Sequence, residues 1–398
     1  MVILSLPLDF IIKAYLISEL IVTKSVKQPH HCRQLDRLME EFRHMVNEAI
    51  RIGIEKNITS KLRLRNELYL KFKNEFHTCY ISMAVFKAHA LLKSYRKSFK
   101  KNSNTKKPYV QKKFFVVNSF VYRILDGDMR IPTRPREFVK ISLNKYTLNI
   151  LSEPNLKFGN ATISSDTISI SFSKDIDQKK PHGYMGIDTN LANATSIDER
   201  GKTTVVDMSS IISRKIKYRD IISHFTRHDV RIQKRLKSKY GQKQKNYEDT
   251  YLHQKSKEII SMEKQIFVEN LKGMRNLYKR GNGQGVRFRF KMNSWTRFKW
   301  QKMLDYKSQW QNGFPVIFVN PSGTSSKCSI CEAKMILEEN RMLYCSRCGL
   351  HIDRDVNAAR NILARGMQFV PDAVQGEVMK QSKEAEQIAP NLFVGMFR

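Results

Sequence analysis

Acidic residues are scarce in this chain. Its 398 residues carry 37 Asp and Glu against 71 Lys and Arg, a formal charge of +34. A soluble protein with that imbalance repels itself unless it meets a polyanion. Nucleic acid is therefore the leading partner, with an anionic membrane surface as the alternative. Long apolar runs are also missing. The first 22 residues come nearest, but Asp9, Lys13 and Glu19 interrupt them, so no uninterrupted stretch spans a bilayer. The opening Met1-Val2-Ile3-Leu4-Ser5 lacks the positive charge of a signal peptide. These absences predict a soluble, non-secreted, cytoplasmic protein. No P-loop or dinucleotide fingerprint occurs, and the histidines show no spacing that suggests a His-metal site or a nucleophile triad. Cysteine is limited to six residues. Their placement speaks for metal binding in a reducing compartment rather than a disulfide framework.

Four of the six form two Cys-x-x-Cys pairs. Cys328-Ser329-Ile330-Cys331 is followed after thirteen residues by Cys345-Ser346-Arg347-Cys348-Gly349. Two such knuckles at this separation can give one tetrahedral four-thiolate zinc site on a short ribbon. The alternative is two reactive dithiols or disulfides. Cys32 and Cys79 stand alone.

Along the chain, residues 20–27 read as a strand and residues 33–54 as a one-faced helix, with Leu35, Leu38, Met39, Phe42, Met45, Val46 and Ala49 at helical spacing. A second helical region covers 61–101. From 114 the pattern becomes short strands, at 114–117, 119–125, 129–132, 137–143, 148–151 and 167–173. With the strand at 20–27 these are expected to close a small β-barrel carrying the helices 33–101 as an insertion. After a charged linker at 174–182, Tyr184 to Asp188 reads as a buried strand ending in an acid. A hairpin with its turn at Asp198-Glu199-Arg200-Gly201 follows, then a long helical region whose charges between Arg214 and Lys245 are overwhelmingly basic. Gln265 to Glu269 is a second apolar strand closed by an acid. A helix over 294–310 and a strand over 315–320 lead to the ribbon. Aromatic and basic residues interleave in Arg287-Phe288-Arg289-Phe290 and from Trp295 to Trp300, a pattern suited to phosphate contacts combined with base stacking.

Two strands thus end in carboxylates, Asp188 and Glu269, and a helix opens with Asp355, preferred over the nearby candidate Asp353 because it sits at the first turn of the helix. Strand ends are where α/β sheets hold ligands. Three carboxylates brought together repel one another when bare, and divalent cations with oxygen preference, Mg²⁺ foremost, remove that penalty. Two such ions can cleave a phosphodiester. Each acid has a plainer role open to it: Asp188 stabilising a turn, Glu269 pairing with Lys272, Asp355 capping its helix.

The residues Gly186-Ile187-Asp188, Phe267-Val268-Glu269-Asn270-Leu271-Lys272-Gly273, the two Cys pairs with Gly349, and the run from Asp353 to Ile362 together resemble TnpB, the OrfB-type nuclease of bacterial and archaeal insertion sequences and a relative of type V CRISPR effectors. Leu304-Asp305-Tyr306-Lys307, the Pro321, Thr324 and Ser325 set, and His253 with Ser256 and Lys257 support the match. The specific motifs cover residues 183–365; the N-terminal half matches only in layout.

The resemblance implies an α+β multidomain chain. A wedge β-barrel-like domain would occupy 19–32 and 102–174, with a helical recognition insertion at 33–101. A RuvC-like, RNase-H-type α/β nuclease domain would follow at 183–320, resuming at 351–366 after a zinc ribbon at 321–350. Residues 1–18 would be an extension and 367–398 a flexible tail. It implies RNA-guided cleavage of double-stranded target DNA by a metal-dependent endonuclease encoded in a transposable element, with a guide RNA from the element's end and no membrane partner. Asp188, Glu269 and Asp355 would hold Mg²⁺ or Mn²⁺ and carry catalysis, and Cys328, Cys331, Cys345 and Cys348 would hold Zn²⁺. A catalytically weak or inactive RNA-guided DNA-binding regulator and a compact type V CRISPR effector are the alternatives. Asn190 replaces the family's glycine two residues after the first acid, and asparagine tolerates left-handed backbone.

Overall fold

The computed structural model describes residues 20–73, 77–134, 137–177, 179–225 and 229–370. The extension expected at 1–18 and nearly all of the tail expected at 367–398 lie outside the described residues. The chain forms two compact units, one of Ile21–Asp175 and one beginning at Ile176.

In the first unit, β1 (Leu20–Pro29) leads into three helices, α1 (Asp36–Glu55), α2 (Lys61–Phe72) and α3 (Thr78–Phe99). The apolar face read from the sequence of α1 is its buried face: Leu38, Met39, Phe42, Met45, Val46 and Ala49 are all interior. Phe42 meets Phe114 edge to face at 5.4 Å, and Tyr80 of α3 meets Phe115 at 5.7 Å. The strands that follow are β2 (Phe114–Val117), β3 (Arg123–Leu125), β4 (Asp128–Arg134), β5 (Glu137–Ser142), β6 (Lys157–Ser164) and β7 (Thr167–Ile176), with α4 (Lys145–Leu151) between β5 and β6.

The expected barrel does not close. The strands divide into a four-stranded sheet of order β1-β7-β6-β2 and a separate three-stranded sheet β3-β4-β5. Two local features explain the division. Asn118 starts a turn, its carbonyl accepting from Val121 N and its Oδ1 from Phe120 N, and this turn interrupts the strand expected at 119–125. Residues 148–151, expected as a strand, belong to α4. Asn144 caps that helix by accepting from Thr147 N at 2.8 Å, and the cap overrides the short apolar run. Without continuous hydrogen bonding from β2 through β3, the two sheets keep separate edges.

The second unit is built on a five-stranded mixed sheet. Its strands are β8 (Tyr184–Thr189), β9 (Asn193–Asp198), β10 (Thr203–Asp207), β11 (Gln265–Glu269) and β12 (Ile317–Val319), in the order β10-β9-β8-β11-β12. Pairs β8/β9 and β9/β10 are antiparallel; β8/β11 and β11/β12 are parallel. The helices are α5 (Ser209–Ser223), α6 (Val230–Ile260), α7 (Val286–Ser294), α8 (Arg297–Asn312) and α9 (Arg354–Met367). Strand β8 is buried along its whole length, as covering on both faces requires. One face carries Met185, Ile187, Ile266 and Val268 into a core with Ile211, Leu252, Trp300 and Leu304. The other face carries Tyr184 and Phe267 into a core with Ile362 and Met367 of α9.

A small third sheet, β13 (Ile336–Leu337), β14 (Met342–Tyr344) and β15 (His351–Asp353), forms the ribbon and runs directly into α9. Among the described residues no helix is long and apolar enough to cross a membrane.

Candidate active site and zinc centre

Side chains alternate across a strand. Since Met185 and Ile187 face one core, Tyr184, Gly186 and Asp188 face the other, and the same alternation sets Gln265, Phe267 and Glu269 on that side of β11. The parallel register Phe267↔Gly186 and Val268↔Ile187 brings the next residues, Glu269 and Asp188, to neighbouring strand ends. Helix α9 covers this face, so Asp355 in its first turn meets the same edge. Gly186 makes that approach possible: a Cβ there would collide with the Ala359 carbonyl and the Leu363 backbone. Ala358 and Ala359 supply the small residues on the helix side. Gly366 likewise lies over the Phe267 ring with no room for a side chain.

The geometry answers the plainer roles open to each acid. Asp353, not Asp355, caps α9, its Oδ1 accepting from Asp355 N at 2.8 Å and Val356 N at 3.1 Å. Asp355 is thereby free to face the sheet, where Arg341 pairs with it and Asn193 Nδ2 donates to it at 3.4 Å. Glu269 accepts the hydroxyl of Thr324, while its backbone carbonyl accepts from Gln301 Nε2 at 3.0 Å. Asp188 accepts from Asn190 Nδ2 at 2.7 Å. Asn190 does not take the left-handed backbone allowed to it; its contribution is this hydrogen bond.

Asp188 and Asp355 are buried, and Glu269 is partly so. Burial first, then the negative charges of Glu269 and Asp355, push the Asp188 carboxyl up to about 7. Burial also raises Glu269, opposed by the Thr324 hydroxyl and the Arg365 charge. These are hard oxygen donors of like charge, and a set of this kind fits Mg²⁺ or Mn²⁺. Among the described residues, the four ribbon cysteines are the one set of three or more Cys, His, Asp or Glu whose ligand atoms all lie within 4.8 Å.

The ribbon cysteines fit zinc on geometry. Cys328 Sγ lies 3.5 Å from Cys348 Sγ, and Cys331 Sγ lies 3.4 Å from Cys345 Sγ. These separations are far longer than a disulfide's roughly 2.05 Å and close to the edge of about 3.8 Å that a tetrahedron with Zn–S near 2.3 Å requires. The backbone N–H of Cys348, followed by that of Arg347, favours the Cys345 thiolate and lowers that thiol to about 6. Gly349 and Glu332, one residue past each pair, both hold left-handed backbone at φ 75° and 59°.

Arg341 and Thr324 were not picked out as site residues from the sequence. A signal for Arg341 exists only in the backbone: Asn340 and Arg341 are consecutive non-glycine residues at φ 53° and 67°, a conformation that asparagine tolerates and that costs arginine about 1–2 kcal/mol. Such strain gathers at functional sites. The other matched motifs serve structure. Lys307 Nζ donates to His253 O and Ser256 Oγ, both at 2.7 Å, fastening α8 to α6, and Asp305 accepts from Val316 N at 3.1 Å.

The interleaved aromatic and basic run also divides. Arg297 and Trp300 are interior, because α8 turns positions 297, 300 and 304 to one face. Phe288 and Phe298 remain exposed. In the first unit, a groove of about 780 Å³ is lined by Lys73, Arg123, Arg130 and Arg134 with Phe120 and Phe138. Phe120 is 91% exposed.

Comparison with known proteins places these features. A family model described as "Cas12f1-like, TNB domain" matches residues 295–362, which span α8, the ribbon and most of α9. A second, described as "Uncharacterized protein MJ0013 family", matches residues 38–132. A TnpB-like protein of Methanocaldococcus jannaschii is 33% identical over 262 residues, 60% of this chain and 91% of the relative. The CRISPR-associated endodeoxyribonuclease Cas12f1 of Sulfoacidibacillus thermotolerans is 32% identical over 126 residues, 29% of this chain and 27% of that protein. Among solved structures, that of a Cas12f1-sgRNA-target DNA complex aligns over 83% of each chain with a TM-score of 0.54 at 13% identity, a likeness of fold. With a TnpB-like relative matched over nine-tenths of its length, the chain belongs to the TnpB-like family.

Proposed function

We propose that this chain is a transposon-encoded, RNA-guided DNA endonuclease that cleaves target phosphodiesters at a RuvC-like site formed by Asp188, Glu269 and Asp355. The observation that carries the reading is the convergence of these three carboxylates on one face of a mixed sheet in a chain of charge +34. The endodeoxyribonuclease activity named for one relative, and the guide RNA and target DNA named in the solved complex, support the substrate class. All three acids are present, which favours the enzyme over the inactive regulator.

Mg²⁺ or Mn²⁺ bound by the three acids would supply an activated water and stabilise the leaving oxygen. The protein's own residues do the rest. Gln301 and the β11/β12 ladder fix the Glu269 backbone, with Asn270 N donating to Val319 O at 2.8 Å. Asp353 holds the first turn of α9, and so Asp355, in place. Arg341 brings a cation to the acid edge, where it can meet a phosphate oxygen and offset its charge. The four cysteines would hold zinc and keep Arg341 on its ribbon. The basic groove around Phe120 offers cations for phosphate and a ring for a base.

The test is co-purification. Expressed with its native 3′ flanking DNA, the chain is expected to carry one discrete RNA and to bind DNA matched to that RNA over unmatched DNA. Recovery of only heterogeneous cellular RNA, with no match-dependent DNA binding, would reject the guided reading.

A further inference from the structure

One matched motif touches the second acid directly: the Pro321, Thr324, Ser325 segment before the first zinc knuckle. Thr324 is buried, at 2% exposure. Its hydroxyl faces two acceptors, Glu269 Oε1 and the Pro321 carbonyl. A hydroxyl has one proton, and the carboxylate is the stronger acceptor. The segment is gripped from behind by two asparagines one turn apart on α9. Asn361 Nδ2 donates to Thr324 O at 2.7 Å and Lys327 O at 2.8 Å. Asn357 Nδ2 donates to Lys327 O at 2.8 Å, and its Oδ1 accepts from Ser329 N at 3.1 Å. Both asparagines are buried. Ser329 lies inside the first Cys-x-x-Cys pair, so the second acid, the first knuckle and α9 form one hydrogen-bonded chain. The ribbon also reaches the third acid through Arg341.

We propose that Thr324 is a positioning residue that fixes the Glu269 carboxylate, and that the Asn357 and Asn361 grip links it to the first knuckle, so that zinc in the ribbon sets the divalent-cation affinity of the acid site. The proposal rests on the acid-site reading above. It makes the ribbon an assembly element for the catalytic edge rather than a detached fold. A ribbon without zinc releases Cys328 and Cys331, and with them the loop that orients Thr324.

The experiment is a Mn²⁺ titration followed by electron paramagnetic resonance, on the full chain freed of nucleic acid, with zinc content measured in parallel. Asp188→Asn defines which signal belongs to the acid site. Thr324→Val is expected to weaken Mn²⁺ binding about tenfold, the scale of one charge-assisted hydrogen bond, with one zinc per chain retained. Thr324→Ser restores the hydroxyl and is expected to restore the affinity. Cys348→Ser, which lowers zinc content, is expected to weaken Mn²⁺ binding as well, and adding Thr324→Val to it changes little more, because both act along one path. If Thr324→Val binds Mn²⁺ like the parent while Asp188→Asn abolishes binding, the proposal falls and the acid site stands. Fully additive losses from Cys348→Ser and Thr324→Val overturn the link to zinc. If Asp188→Asn leaves binding unchanged, the proposal and the acid-site reading fall together.

Discussion

A buried carboxylate held at high pKa carries a stability cost, and Asp188 makes that cost measurable. Its ordinary value is 3.8 and its value in the fold is about 7. At about 1.4 kcal/mol per tenfold change in ionisation constant, ionising it in the metal-free protein costs about 4 kcal/mol relative to the unfolded chain. The sign follows from proton counting. Between pH 4 and 7 the unfolded chain has lost the proton and the folded chain keeps it, so stability falls as pH rises through that window and levels off above it. Asp188→Asn removes the penalty and keeps an acceptor for Asn190 Nδ2. The variant is therefore expected to be more stable than the parent by up to about 4 kcal/mol at pH 8, with the difference vanishing near pH 4. The assay is urea unfolding at both pH values without added divalent cation, zinc being left in the ribbon. Mg²⁺ should then raise the stability of the parent and not of the variant. An Asp188→Asn protein no more stable than the parent at pH 8 would refute the crowded-acid picture.

Three further outcomes are expected. Gly186→Ala forces a methyl into the α9 backbone and should destabilise the second unit by about 3 kcal/mol or more in urea unfolding. Phe120→Ala removes a nearly fully exposed ring; it should weaken nucleic-acid binding by about 1–3 kcal/mol in a filter or fluorescence assay and leave the melting temperature unchanged. Glu332→Gly relieves left-handed backbone at the first knuckle and should stabilise the ribbon by about 0.5–1 kcal/mol, read as slower zinc release to a chelator.

What could be read from the sequence was what the backbone period encodes directly. The two strands that carry Asp188 and Glu269 near their ends, the helix with Asp355 in its first turn and the apolar face of α1 each show as a local pattern, and the structure has each, with β8 running on to Thr189 and the helix opening at Arg354. Errors arose where a short apolar run fits two periods. Residues 148–151 suit a strand or a helical turn equally, and the Asn144 cap decides for the helix. Barrel closure depends on long-range pairing that no local signal carries, and the turn at Asn118 separates the sheets. Trp300 and Arg297 resemble a stacking surface in one dimension, yet the turn of α8 takes both inside. Arg341 and Thr324 reach the acids from 14 and 55 residues away in sequence, so no local pattern ties either one to the acid it touches.

The proposal that Asp188, Glu269 and Asp355 carry DNA cleavage is tested most directly by incubating the RNA-loaded chain and its Asp188→Ala variant with Mg²⁺ and guide-matched plasmids bearing randomised flanks. Both are expected to bind the target, and only the parent to cut it. Cutting retained by a clean Asp188→Ala preparation would contradict the assignment.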